Sequence, residues 1–422
     1  MSLTSLKIAE AFLDKAKETY EHQMQMLPLV MFEEPDGGNM QNAGNVIWRP
    51  VQQHAHIQSG WDLTGQEDGI IEESYPSILG TPKSDLVQQR ADNMRDMRYW
   101  ERRAEQSGLQ QATELNLTIA QAIALQGSLF YRSNVDSGYG FISLAQAMMN
   151  ERQTVNNGRA FIVNDRDLIT FAADLAGRQT TQGGRPEQAW ATSQIGNNVA
   201  GFDIFTGSFL PNLVGGASPG ATVTGAQSFA PEAGSVDTAT GIVTNVDYRS
   251  ADIPVSASGS YNVGDKVTIG AVQSVGLADK QATGQLMTFT IVAKPDATTI
   301  TVYPKPIAYV DPALTDLEKQ YANINVVIPN AAVVARLNTA ASEKANLFFD
   351  KSAIEVLGGN IPAELFANFA GFKVLTDTLS NGLKMYFVYD GDLATMNFRF
   401  RCFTWSGITV ANPQACGVAL HY

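Results

Sequence analysis

Residues 85–132 read DLVQQRADNMRDMRYWERRAEQSGLQQATELNLTIAQAIALQGSLFYR, and their reading decides the fold. The stretch holds no proline and has Gly108 near its middle. Apolar or small residues recur at Met94, Met97, Ala104, Gly108, Ala112, Leu115, Ile119, Ala122 and Leu129. That is the three- and four-residue spacing of an amphipathic helix. Thr81-Pro82, with Ser84 and Asp85 after it, supplies a candidate N-terminal cap. At 1.5 Å per residue the predicted helix spans roughly 70 Å, and Gly108 is expected to kink or divide it. A helix that long reads as a strut rather than as part of a small enzyme domain. Its first half is crowded with both charges, at Arg90, Asp92, Arg95, Asp96, Arg98, Glu101, Arg102, Arg103 and Glu105. One reading is a solvated face, whose pairs contribute only ~0.3–0.5 kcal/mol each. The other is a face held against a neighbouring subunit, with Arg90, Asp92, Arg95, Arg102 and Arg103 as contacts.

Outward from this stretch, the totals set bounds. A chain of 422 residues with 44% hydrophobic content holds more than one domain, or one domain with insertions. The net charge of −13 argues against broad nucleic-acid binding, which needs Lys and Arg to neutralise phosphates. Two cysteines, Cys402 and Cys416, read as reduced thiols of an intracellular protein rather than as a disulfide. The N-terminal MSLTSLKIAEAFLDKAKETYEH is too charged for a signal peptide. No run of ~18 apolar residues predicts a membrane span.

On the N-terminal side, residues 5–31 read as an amphipathic helix with Leu6, Ala9, Phe12 or Leu13, Ala16 and Tyr20 on one face. Glu33-Glu34-Pro35-Asp36-Gly37-Gly38 breaks it. Residues 39–82 read as a long polar hairpin, with strands at Val46–Val51 and Ile70–Tyr75. Trp48 and Trp61 are either internal packing or anchors that bury against another chain, where tryptophan is enriched.

On the C-terminal side, residues 138–205 alternate helix (Ser143–Arg152, Asp167–Ala176) and strand (Arg159–Val163), an α+β layer. Composition shifts near residue 212. From Leu213 to Tyr309 short alternating runs such as Lys266–Ile269, Met287–Val292 and Thr299–Tyr303 predict a separate barrel or sandwich. Residues 232–254 form a long acidic connection carrying Asp237, Asp247, Arg249 and Asp252. A loop of that length is functional or mobile. Residues 330–422 return to α+β character, with a short helix expected at Asn330–Asn338 and aromatic strands at Lys384–Asp390 and Asn397–Trp405. An all-β unit interrupting one α+β body is an inserted-domain layout.

Chemistry is hard to find. The histidines are His22, His54, His56 and His421. His54 and His56 share a strand face with no cysteine near, so a polar loop pair outweighs a metal site. The two cysteines lack zinc-ligand spacing. The GxxxxGK[ST] and GxGxxG signatures are missing; Gly215–Gly220, whose last five residues spell GxSxG, lacks the lysine of a phosphate loop and any helix after it, so it reads as a linker and not as a nucleophile elbow. No catalytic, cofactor or metal residue is assigned.

The order of several short pieces carries a resemblance: Asn45-Val-Ile-Trp48-Arg-Pro50-Val51, Gly60-Trp61-Asp62-Leu63-Thr64, Arg90-Ala-Asp92-Asn-Met-Arg95-Asp96, Gly127-Ser-Leu129, Val199-Ala-Gly-Phe202-Asp203, Thr224-Gly-Ala-Gln-Ser-Phe229 and Tyr321-Ala-Asn-Ile-Asn325. Together they resemble the major coat proteins of tailed double-stranded-DNA bacteriophages with the Hong Kong 97-type fold, in the short-tailed lineage with an inserted β domain. The pieces span residues 45–325; the last stretch of chain matches only in general character.

The resemblance implies an α+β Hong Kong 97-like capsid fold. Its parts are an N-terminal arm (1–38), an extended loop over a neighbouring subunit (39–82) and a peripheral-domain spine helix (83–132). The axial domain (133–212) and its remainder with peripheral-domain strands (330–422) flank an inserted all-β barrel (213–329). It implies self-assembly into an icosahedral shell of hexamers and pentamers, a scaffolding protein, a portal protein, and packaged DNA held without sequence-specific binding. No membrane is involved, no cofactor is needed, and the location is the virion capsid, built in the host bacterial cytoplasm.

Three sharper expectations follow. Glu10, Asp14 and Glu18, at i, i+4 and i+8, form an acidic row for a basic scaffolding segment. Residues 39–82 contain no lysine, so the Lys–Asn isopeptide mesh of some coat proteins of this fold is not expected. Asp237, Asp247, Arg249 and Asp252 either pair with a neighbour across a two-fold axis or form a plain exposed loop. The rival readings are a tail or decoration protein, usually mostly β, and an enzyme with a β appendage.

Overall fold

The computed structural model describes residues 5–34, 44–52, 55, 57–65, 69–90, 96–134, 138–177, 199–216, 220–236, 239–240, 243–361, 373–392 and 397–422. The chain divides into two compact units, one of residues 1–47, 76–119 and 354–409, the other of residues 48–75, 120–353 and 410–422.

The first unit is built on a four-stranded antiparallel sheet of Lys83–Arg90, Asn397–Thr404, Lys384–Asp392 and Lys373–Thr378. The helix expected from Asp85 therefore begins later. Lys83–Arg90 alternates exposed and half-buried residues and pairs along its whole length with Asn397–Thr404, so the backbone groups on that side of this edge strand are satisfied within the sheet. The helix itself, α2, is Met97–Gln126, about 45 Å at 1.5 Å per residue. It runs unbroken through Gly108. At its far end the chain turns into strand Leu129–Ser133.

The N-terminal helix α1 is Ser5–Gln23, shorter than the expected 5–31. Asn116 of α2 stops it: its amide donates to the Gln23 carbonyl at 3.0 Å, and its side-chain oxygen accepts from Met26 N–H at 3.1 Å. Pro28 then holds a short 3-10 turn, and Met31–Glu33 joins Ile354–Gly358 as a parallel strand. α1 packs on its own unit through Ile8, Ala9, Phe12, Leu13, Ala16 and Tyr20, all buried. The Phe12 ring lies 4.9 Å from Phe387, 5.2 Å from Phe400 and 6.4 Å from Trp100. Aromatic contacts of this geometry add about 0.5–1.5 kcal/mol beyond area burial.

In the second unit, a five-stranded mixed sheet runs in the order Leu129–Ser133, Cys416–His421, Asn346–Asp350, Arg159–Val163, Asp203–Thr206. Helices α3 (Tyr139–Glu151) and α4 (Asp165–Gly177) supply Phe141, Met149 and Phe171 to its core with Phe161, Phe202 and Phe348.

The same unit contains the inserted β domain. Its six-stranded antiparallel sheet runs Ala251–Pro254, Thr299–Tyr303, Ala282–Asp296, Lys266–Val275, Val333–Arg336, Ala221–Thr222. A bridge between Val223 and Val255 then joins last strand to first, with Thr224 N–H on Pro254 O at 2.8 Å and Ser256 N–H on Thr222 O at 2.9 Å. The sheet thus closes into a barrel, the arrangement that removes strand edges. Its lumen is filled by Val267, Ile269, Met287, Phe289, Ile291, Ile300, Val302 and Val334, all fully buried. Asn212–Leu213 pairs antiparallel with Glu343–Lys344, so chain exit and return share one neck. The helix expected at Asn330–Asn338 is instead the barrel strand Val333–Arg336, where β-branched Val333-Val334 fits the pleat and Val334 plugs the lumen. The barrel consequently extends past residue 329.

Lys266, fully buried, ties this barrel to the end of α2. Its Nζ donates to Gly127 O at 2.6 Å and to Thr290 Oγ1 at 2.9 Å, and that hydroxyl donates to the same carbonyl at 2.6 Å. A cation at a helix C-terminus meets the negative end of the helix dipole. Burial pushes the Lys266 amine down to about 7.

Candidate assembly surfaces

The sequence placed its candidate residues on four stretches of chain, and each has a distinct setting. On α1, Glu10, Asp14 and Glu18 all point to solvent, on the face opposite the buried stripe. Lys15 pairs with Glu18 at 2.8 Å and holds its carboxyl below the usual range, chiefly through that hydrogen bond. Below this row the helix is fastened down: Lys17 pairs with Asp377 at 2.9 Å, and Glu21 accepts from Ser380 N–H at 2.7 Å. The row is a fixed acidic edge on a packed helix.

The second element is the segment between strands Val46–Pro50 and Ser74–Ile78, which pair with each other. The returning strand starts later than expected from Ile70–Tyr75. Described residues from 51 to 73 carry no helix or strand, yet the segment displays apolar side chains to water. Ile57 is 83% exposed, Trp61 108%, Leu63 42% and Ile70 66%. Trp48, in the outgoing strand, is 36% exposed. Four large apolar groups close in sequence, one a tryptophan, make the kind of surface that a second chain covers. His54 and His56 lie outside the described residues.

Of the charged stretch expected on one helix face, Arg90 ends strand Lys83–Arg90, Arg102 is exposed on α2, and Asp92 and Arg95 lie outside the described residues. Arg103 pairs with Asp85 at 2.5 Å, and Lys83 pairs with Glu114 at 2.7 Å. Charges predicted for one helix therefore pin that helix to the adjacent strand of its own chain.

The fourth stretch is the chain leading into the barrel. Asp237 lies outside the described residues. Arg249 Nε and Nη2 grip both oxygens of Asp247 at 2.9 Å, while Nη1 donates to Val410 O at 2.7 Å and Ala411 O at 3.1 Å. Its guanidinium lies 4.6 Å from the Tyr75 ring centre and 5.3 Å from that of Tyr303. Asp252 accepts from the Thr301 hydroxyl at 2.6 Å on the barrel. The Asp247–Arg249 pair is thus satisfied within its own chain. The segment is not a plain exposed loop either: Ser235–Val236 and Val243–Thr244 form a strand pair, and the Arg249 side chain is only 10% exposed.

A cleft of about 350 Å³ opens beside Arg249, lined among others by Gln52, Glu73, Tyr248, Lys305 and Asn412. Burial pushes the Glu73 carboxyl up, against the pull of the Glu232 N–H that it accepts and of Lys305. Lys305 pairs with Glu232 at 2.7 Å. Sequence reasoning missed Glu73, Tyr75, Lys305 and the buried Lys266, because their partners lie far along the chain and leave no local pattern. Among the described residues no group of three or more His, Cys, Asp or Glu side chains is placed to hold a metal. Cys402 and Cys416 are free and buried. No described helix is long and apolar enough to cross a membrane.

Known structures share features with the chain. It is similar to the Mycobacterium phage Che8 structure, at 12% identity over 94% of this chain and 90% of that one, with a TM-score of 0.43. It is similar to the capsid of cyanophage P-SCSP1u, at 10% identity over 93% and 86%, with a TM-score of 0.46. The coat protein I-domain of CUS-3 is 31% identical over 29% of this chain and all of its own length, with a TM-score of 0.23. The family model described as P22 coat protein - gene protein 5 matches residues 1–421. With that match over nearly its whole length, the chain belongs to the P22 coat protein family and is a major capsid protein of a tailed phage.

Proposed function

We propose that copies of this chain close into an icosahedral shell of hexamers and pentamers around packaged double-stranded DNA, in the manner of the short-tailed lineage of the Hong Kong 97-type fold. A scaffolding protein guides closure, a portal protein occupies one vertex, and assembly takes place in the host bacterial cytoplasm. The observation that carries the self-association is the 51–73 segment, whose Ile57, Trp61, Leu63 and Ile70 face water in the single chain. A folded monomer gains nothing from displaying these groups on a stretch without regular structure. Laid over a neighbour, each loses its contact with water, at about 25 cal/mol per Å² of apolar surface.

The acidic row Glu10, Asp14 and Glu18 is the proposed contact for a basic scaffolding segment, supported by its exposure and by the fastening of α1 beneath it. A net charge of −13 suits an inner wall that DNA must slide past, since a basic lining would hold phosphates. Subunits stay joined without covalent links, because residues 39–82 offer no lysine for an isopeptide bond.

The test is co-expression with a scaffolding protein, followed by negative-stain electron microscopy and a denaturing gel. Closed particles whose coat runs as a single monomer band support the proposal. Soluble monomers alone, or a ladder of covalent oligomers, count against it.

A further inference from the structure

We infer that Arg249 is a latch coupling the base of the 51–73 segment to the inserted barrel, so that displacing either element releases the other. Two sides meet at this one guanidinium. From the segment comes Tyr75, beneath the guanidinium at 4.6 Å. From the barrel and its approach come Tyr303 at 5.3 Å, Asp247 gripped through two N–H groups, and Lys305 N–H on the Arg249 carbonyl at 2.6 Å. The carbonyls of Val410 and Ala411 accept from Nη1.

Other contacts of the segment and its return reach the same surroundings. Val51 N–H bonds Glu73 O at 2.9 Å, the Tyr321 hydroxyl donates to Ile71 O at 3.0 Å, and one bridge joins Ser74 to Asp247. Two of these three contacts also run to the barrel or its approach. Beyond the paired strands at its base, the segment is therefore held against the inserted domain as well.

The arrangement is two-state for an electrostatic reason. A guanidinium that is 90% covered stays charged, so losing a partner leaves that charge buried and less well compensated. Removing Tyr75 opens one face to water and loosens the grip on Asp247; moving the 245–249 stretch strips the cover from Tyr75. Coupling of this kind is reciprocal by thermodynamic necessity. Glu73 accepts from Glu232 N–H and feels Lys305, which pairs with Glu232, so the charges there come from both elements. In a shell, a neighbour that pulls on the segment would then be felt at the barrel. The inference concerns one chain's own contacts and stands or falls separately from shell formation.

Hydrogen–deuterium exchange on the full-length chain tests it with two variants, one on each side. Tyr75→Leu changes no barrel residue, yet amides of 245–249 and of Lys305 are expected to exchange at least about tenfold faster, a coupling within the usual allosteric range. Arg249→Lys keeps the charge but loses the planar fork, and is expected to speed exchange at Val51 and across 71–75 by a similar factor. Strands Lys266–Val275 and Ala282–Asp296 keep their protection in both variants. If each variant speeds exchange only in the element that carries it, there is no coupling and the inference fails. Loss of barrel protection in Tyr75→Leu also overturns it, since a latch releases without unfolding what it holds.

Discussion

Gly108 of α2 lies directly against the Ala16 carbonyl of α1: a Cβ at 108 would overlap that oxygen and sit 3.2 Å from both the carbonyl carbon and Thr19 Cβ. Ala104 and Ala112, one turn to either side, are fully buried as well. Small residues at four-residue spacing make a shallow groove in α2, and α1 lies in it. The glycine is there for close approach between helices, whereas its sequence context had implied a kink.

The two roles predict opposite signs for Gly108→Ala. In a helix position free of neighbours, alanine gains about 0.8–1 kcal/mol over glycine. Here the added methyl meets backbone, which cannot rotate away, and overpacking costs roughly 1–3 kcal/mol. Urea unfolding of the variant is expected to give a lower midpoint than the parent. A higher midpoint would mean that the groove has slack.

Lys266 makes stability depend on pH. Its folded value of about 7 lies below the 10.5 of an ordinary lysine, so between those values the unfolded chain binds more protons. Stability from this group therefore rises with pH from about 7 to 10.5 and is flat below. One proton gives a slope of at most about 1.4 kcal/mol per pH unit. Denaturant melts of parent and Lys266→Met across this range check it. The slope is expected to shrink in the variant, leaving the Thr290 hydroxyl on Gly127 O.

Trp61 has no contact to lose in the single chain, being 108% exposed. Trp61→Asp is expected to leave monomer unfolding within about 0.5 kcal/mol of the parent, as for surface substitutions generally. Particle yield is expected to fall at least about tenfold, since a buried tryptophan anchor contributes 2 kcal/mol or more at each interface. Sedimentation of assembly products beside a thermal melt separates the two effects.

Asp14→Lys reverses charge in the middle of the acidic row without touching the buried face of α1. Scaffold content of the resulting particles is expected to drop, and more steeply at low salt, where exposed charges act over a longer range. Unchanged incorporation at both salt concentrations would leave the row with no role beyond solubility.

What the sequence showed depended on how local each pattern was. Arg159–Val163 and the barrel runs at Lys266 and Thr299 were legible because short runs of β-branched and apolar residues bounded by turn residues mark strands locally. The inserted all-β unit was legible for the same reason, and the buried arm-helix face from its three- and four-residue spacing. Lys83–Arg90 was not, because its strand character rests on pairing with Asn397–Thr404, some three hundred residues away. Val333–Arg336 misled through helix-favouring alanine and leucine around two valines that the barrel needed. For the candidate surfaces, the residue types were readable but their partners were not. Asp247 and Arg249 stood out as charges, yet nothing in 232–254 said that Tyr75, Val410 and Ala411 would enclose them.

The central claim is that this chain gives its exposed apolar segment to another copy of itself. Cryo-electron microscopy of particles formed from the purified chain tests it most directly. The account predicts a closed shell in which the Trp61 side chain is buried against the adjacent subunit; a shell with Trp61 in solvent, or no shell under conditions where the scaffold is present, would contradict it.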